Sequence, residues 1–168
     1  PKTIETITYR ELRELSYMGA TVLHEEAIFP VRFAGIPINI KNTNAPTDRG
    51  TMIVATTSEF SSDDVVTGIA GKKGFSVINI EKDLMNAEIG FGRKVLSVLE
   101  DFNIPFEHLP SGIDTVSLVV SAQKVTPCLY SMLGDLQKEL KPDSIHVTDN
   151  MAIVAAVGRK MAYKPGTS

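Results

Sequence analysis

The stretch "EIGFGRKVLSVLEDF", residues 88–102, sets Gly90 and Gly92 one residue apart where a helix should begin. Glycine lets a ligand lie against the backbone, and the N–H groups of a first helical turn favour an anion. Three chemistries compete for such a place. A phosphate loop needs G-x-x-x-x-G-K-[ST], and a dinucleotide fingerprint needs G-x-G-x-x-G. "GFGRKVL" lacks the third glycine and the Ser/Thr, and the acidic run "EKDLMNAEI" (81–89) before it would repel phosphate. A plain tight turn is the second possibility. The third is a clamp for a small carboxylate, and the α-carboxylate of an amino acid suits it. The ammonium of that ligand then needs an acid or carbonyl nearby. Glu107, on the strand after the helix, is the candidate, against the alternative that it is a solvated strand residue.

Other chemistry is sparse. His24, His108 and His146 are scattered, and with Cys128 as the one cysteine no metal-ligand spacing arises. No Ser/His/Asp set is assembled, because His24 before Glu25–Glu26 reads as a helix start. Cys128 in "PCLYSML" reads as core rather than nucleophile. A lone cysteine forms no internal disulfide and fits a reducing, cytoplasmic compartment. The 168 residues allow one ordinary domain, or a small domain with part of another. Hydrophobic content of 43% and charged content of 22% are those of a soluble globular chain. No apolar run approaches the roughly 18 residues of a membrane span, and a net charge of −3 offers nucleic acid nothing. The start at Pro1 and the end on "KPGTS" suggest a piece of a longer protein.

The elements that must position these residues follow from the pattern. Thr8 and Glu11 stand in the relation of a capping box, and Leu12, Leu15, Gly19 and Val22 recur behind them, so 9–18 should be a helix. A second helix is expected over about 24–34, with Pro30 either kinking it or sitting in its first turns. "IPINIKN" (36–42) and "GTMIV" (50–54) read as strands, and the polar "ATTSEFSSDD" (55–64) as a linker and domain boundary. Next come a strand (65–71), a "KKG" turn and a strand (75–82). A helix follows with Phe91, Val95, Val98, Leu99 and Phe102 on one face, stopped by Asn103 and Pro105. "PFEHLP" is a short strand and "TVSLVVS" (115–121) a half-buried one. Thr126 and Pro127 should open a helix with Leu129, Leu133, Leu136 and Leu140 buried. "SIHV" and "MAIVAAVG" are the last strands, turning at Asp149–Asn150.

From 75 to 148 the order is β-α-β-β-α-β, an α+β, ferredoxin-like unit with an antiparallel sheet and both helices on one face. Strands flanking a complete unit suggest insertion into a second sheet, most of which would lie beyond Ser168. RNA-binding domains share this order but stack bases on aromatics of the third strand. "TVSLVVS" has none, so RNA is not the ligand.

"ITYRELRELSYMGATVLHEEAIFPVRFAGIPINIKNTNAPTDRGTMI" (7–53) resembles the end of the kinase domain of aspartate kinases. Those enzymes carry a pattern like Y-x-E-x-x-E-L-x-x-x-G-A-x-V-L-H-x-x-A, then I-P-x-x-I-[RK]-N-T and G-T-x-I. "VTGIAGKKGFSVINIE" and "FNIPFEHLPSGIDTVSLVV" resemble the family's regulatory ACT domains, and "VAAVGRKMAYKPGTS" the lead into a second one. The resemblance implies a kinase strip of the amino acid kinase fold (1–54), a linker (55–64) and an ACT region (65–158) holding the inserted unit 75–148. Residues 159–168 would begin a truncated second ACT domain.

It further implies an effector site of Met85, Gly90, Phe91, Gly92, Phe106, Glu107 and Ser111. Where many relatives have Ser-Glu, "SGID" places Asp114 one residue later. The implied effector is lysine, threonine or both. Lys41, Asn42, Thr43 and Asn44 match the segment near the nucleotide, although some relatives have lysine where Asn44 stands. The implied reaction of the whole enzyme moves the γ-phosphate of ATP, with Mg²⁺, to the β-carboxylate of aspartate. The family's catalytic residues lie upstream of Pro1, so this stretch should hold no cofactor and be inactive alone, and its ACT domains should pair it as a homodimer. A ligand-free, ACT-like dimerisation module is the alternative.

Overall fold

The computed structural model describes residues 3–20, 22–23, 25–56, 65–159, 161 and 165–166. The helix start expected at His24, most of the linker 55–64 and most of 159–168 lie outside the described residues. The chain gathers into two compact units, residues 1–72 with 153–168, and residues 73–152.

In the first unit, β1 (Thr6–Thr8) runs straight into α1 (Tyr9–Tyr17). The join is the capping box expected from the sequence. The Thr8 hydroxyl accepts the Glu11 N–H at 3.2 Å, and Glu11 Oε2 accepts the Thr8 N–H at 2.8 Å. α1 buries Tyr9, Leu12 and Leu15 against Ile7, Ile28, Ile53 and Ala70. α2 (Glu25–Phe33) holds Pro30 in its interior. β2 (Ile38–Ile40) and β3 (Thr51–Val54) complete a sheet of order β1-β3-β2, with β1 parallel and β2 antiparallel to β3. Ile7 and Ile38 both register opposite Ile53, whose side chain is wholly buried.

Glu11 is the polar centre of this unit. Its carboxylate accepts the Thr8 hydroxyl at 2.6 Å, the Thr67 hydroxyl at 2.5 Å, and Arg159 Nε at 2.9 and 3.0 Å. Arg159 Nη2 reaches on to the Thr6 carbonyl. Burial pushes the Glu11 pKa up, but the hydrogen bonds from Thr67, Thr8 and Arg159 outweigh it and hold the pKa below the usual carboxylate range.

The second unit contains α3 (Phe91–Asp101), β5 (Phe106–His108), β6 (Thr115–Ser121), α4 (Ala122–Val125) and α5 (Leu129–Leu140). β4 (Gly68–Glu81) enters it and β7 (Ser144–Val157) leaves it. Sheet order is β5-β6-β4-β7, the ferredoxin-like arrangement. The β4–β6 register pairs Ile78 with Leu118 and Ile80 with Val116. These four face Val95, Val98, Leu99, Met132, Leu136 and Leu140, so both long helices cover the same side of the sheet.

Three local expectations change. "KKG" is no turn: β4 is continuous, because its second half pairs with β6 rather than folding back on 65–71. Gly74, at φ 92°, is absorbed within it. Asp149–Asn150 likewise lies inside β7, with Asn150 at φ 58°. The helical segment begins at Ala122, not Thr126, whose hydroxyl bonds back to the Ala122 carbonyl at 2.6 Å. Pro127 has no N–H for the α-ladder, so a 3-10 turn at Thr126–Cys128 separates α4 from α5, and Met132 takes a fully buried place that Leu133 was expected to hold.

Candidate functional site

Between β4 and α3 the chain makes a compact turn. Leu84 adopts φ 59°, Met85–Ala87 form one 3-10 turn, and Gly90 adopts φ 81° immediately before Phe91 opens α3. Met85 and Phe91 are buried and anchor the turn in the core, while Gly90 and Gly92 are exposed. No side chain caps α3, and the Phe91 N–H is taken by the Glu88 carbonyl at 3.3 Å. The N–H groups of Gly92 and Arg93, both on exposed residues, therefore form the open part of the first turn.

The loop before β6 braces this turn. The Lys82 and Asn86 N–H groups donate to the carbonyls of Asp114 and Ile113 at 2.9 and 3.2 Å. Asp114 Oδ1 accepts the Leu84 N–H at 3.0 Å, so that carboxylate shapes the turn itself. Ser111 bridges to Val116 in the same loop. Met85, Gly90, Phe91, Gly92, Ser111 and Asp114 thus lie at one end of the sheet, where Glu81 pairs with Thr115.

Phe106 and Glu107 lie elsewhere. On edge strand β5, Phe106 registers opposite Val120 and His108 opposite Val119, with Glu107 between them at an irregularity. Val119 is four residues along β6 from Thr115, roughly 13 Å at strand rise. The length of α3 agrees, since its 11 residues carry the chain about 16 Å. Within one chain, then, Glu107 and the Gly90–Gly92 amides stand too far apart to hold the two ends of one amino acid. Sequence spacing alone could not reveal this, because the direction of α3 decides it.

A charged cluster that sequence reasoning missed does border the turn. Glu88 takes Lys82 Nζ on Oε2 at 2.5 Å and Lys94 Nζ on Oε1 at 2.6 Å. Lys82 also donates to the Leu140 carbonyl at 2.6 Å and stands 5.6 Å from the centre of the Phe91 ring. Hydrogen bonds from Lys82 and Lys94 hold the Glu88 pKa below its ordinary value. Of the three acids in the run 81–89, Asp83 is exposed and the other two are held by partners. Glu81 is bonded by Ser144 at 2.8 Å, and Glu88 carries two lysines. The spacing 82, 88, 94 follows neither helical nor strand period, so no pattern signalled it.

Lys41, Asn42, Thr43 and Asn44 form the start of the exposed loop between β2 and β3. Lys41 Nζ donates to the Pro46 carbonyl at 3.0 Å, and Asn42 Oδ1 accepts the Asn44 N–H at 3.0 Å. The loop closes at Gly50, whose φ is 72° and where a Cβ would collide with the Ile40 carbonyl. These residues are a pre-shaped polar loop able to contribute to one side of a nucleotide site. They fit Mg²⁺ poorly, and among the described residues no His, Cys, Asp or Glu group could hold a metal ion. No helix among the described residues is long and apolar enough to cross a membrane.

No family model matches the sequence. Aspartokinase 3 of Bacillus subtilis is 41% identical over 169 residues, taking in 100% of this chain and 37% of that protein. The structure of Clostridium acetobutylicum aspartate kinase superposes with a TM-score of 0.90 at 57% identity, over 99% of this chain and 38% of that one. E. coli aspartokinase III in complex with lysine and aspartate superposes at 0.73 with 23% identity, over 95% of this chain and 35% of that one, a likeness of fold. The chain spans a little over a third of the length of these relatives. In sequence along its whole length and in fold, the chain belongs to the aspartate kinase family.

Proposed function

We propose that this chain is the regulatory part, with an adjoining strip of kinase domain, of an aspartate kinase, and that it binds lysine, threonine or both as a feedback effector. The longer cytoplasmic enzyme would transfer the γ-phosphate of ATP, with Mg²⁺, to the β-carboxylate of aspartate. The observation that carries the reading is the 41% identity to Aspartokinase 3 along the whole chain. The turn adds physical support: anchored by Met85 and Phe91, it offers first-turn N–H groups on exposed residues, suited to an α-carboxylate. The lysine in the E. coli relative's complex belongs to that protein, and its role is extended here only as a proposal.

The separation of Glu107 from Gly90 gives the proposal its form. One chain supplies the carboxylate end of the clamp, and Glu107 of a second copy supplies the acid for the cationic end. A homodimer paired through these sheets is therefore part of the reading. Calorimetric titration with L-lysine and with L-threonine tests it. Heat from one or both is expected, whereas heat from neither would leave the ligand-free dimerisation module. Glu107→Ala should weaken effector binding at least about tenfold with the fold intact, since a charge-assisted contact is lost. Unchanged affinity would return Glu107 to a solvated strand residue.

A further inference from the structure

The ammonium of Lys82 joins three parts of the second unit at once. It meets the Glu88 carboxylate, the carbonyl of Leu140 at the last residue of α5, and the face of Phe91. Lys94, one turn into α3, closes on the other oxygen of the same carboxylate. Glu88 is two residues before Gly90, and its own carbonyl accepts the Phe91 N–H. The conformation that aims the first-turn amides is thus tied, through one carboxylate, to two lysines and to the end of α5. Two ammonium groups on one carboxylate give this cluster one surplus positive charge, set against the carboxylates of Asp83 and Asp114 in the same turn. The side chains of Lys82 and Glu88 are 22% and 25% exposed, so this charge is only partly screened.

We propose that Lys82 and Lys94 are positioning and specificity-determining residues of the effector turn, selecting ligands that carry a free carboxylate. The inference rests on the effector reading above and adds two residues to it. Lys82 holds the turn in shape, and the pair over-compensates Glu88, so the two ammonium groups attract a ligand carboxylate against the repulsion of Asp83 and Asp114. A ligand with the same side chain but an uncharged amide loses that attraction.

The test measures a ratio of affinities. Calorimetry on the full chain compares L-lysine with L-lysinamide and L-threonine with L-threoninamide, for the wild type, Lys94→Met, Lys82→Met and Glu88→Gln. The wild type should prefer the acid, and added salt should erode that preference. Lys94→Met and Lys82→Met should each lower the acid-to-amide ratio about three- to tenfold. Lys82→Met should also weaken both ligands, while Lys94→Arg should keep the wild-type ratio. Glu88→Gln should raise the ratio, even where loosening of the turn lowers both affinities. A purely structural role would move both ligands together, so equal losses for acid and amide in variants with unchanged circular dichroism overturn the proposal. Absence of any wild-type binding overturns the effector reading itself, and this inference with it.

Discussion

Gly90 and Gly92 answer to different demands although only Phe91 separates them. Gly90 is needed for its backbone conformation, φ 81°, where a side chain is strained. Gly92 lies inside α3, and a Cβ there would meet nothing within 4 Å. Gly90→Ala should therefore destabilise the fold by about 1 kcal/mol. Gly92→Ala should leave stability equal or slightly raised, yet weaken effector binding if a ligand lies against that backbone. Thermal melting read beside calorimetry separates the two, and full affinity in a stable Gly92→Ala would remove the ligand from this turn. The importance of the position was legible because glycine at a helix start is a local signal. The Lys82–Glu88–Lys94 cluster was not, because a turn, a helix and the tail of α5 assemble it in space.

Short-range rules carried furthest at the level of elements. The Thr8–Glu11 capping box and the boundaries of β6 follow from residue types within one or two turns. The continuity of β4 and β7 did not, since pairing across the sheet overrides the turn propensity of "KKG" and Asp149–Asn150. The capping box also has a pH signature. The folded-state pKa of Glu11 is lowered, so its contribution is complete above the unfolded carboxylate value near about 4.3 and is lost as pH falls through the folded value. Glu11→Gln should destabilise the first unit by about 1.5–3 kcal/mol at neutral pH, with the gap closing in acid. Denaturant unfolding monitored at α1 from pH 7 to about 3 checks this, and a gap constant with pH would mean that the carboxylate charge is irrelevant there.

For the whole molecule, the proposed clamp is completed only if a second copy supplies its other half. Light scattering at high concentration, with and without effector, should find a dimer or a larger species. A clean monomer in both states would count heavily against the shared site. The isolated chain should form no aspartyl phosphate, and turnover surviving rigorous repurification would relocate the catalytic residues. The separation behind this proposed assembly was not legible in the sequence, which supplies candidates such as Glu107 but not the direction in which a helix carries the chain past them. The Glu11–Arg159 pair also bears on how the protein is made. It spans 148 positions, and the whole of residues 73–152 lies between its members. A ribosome delivers residues in order, at roughly 5–20 per second. Every strand of the second unit is therefore present before the guanidinium that Glu11 awaits has been synthesised. α1 is made before the second unit yet gains its full set of hydrogen bonds only after it. A released chain ending just before Arg159 should protect 73–152 from a protease while α1 is still cut.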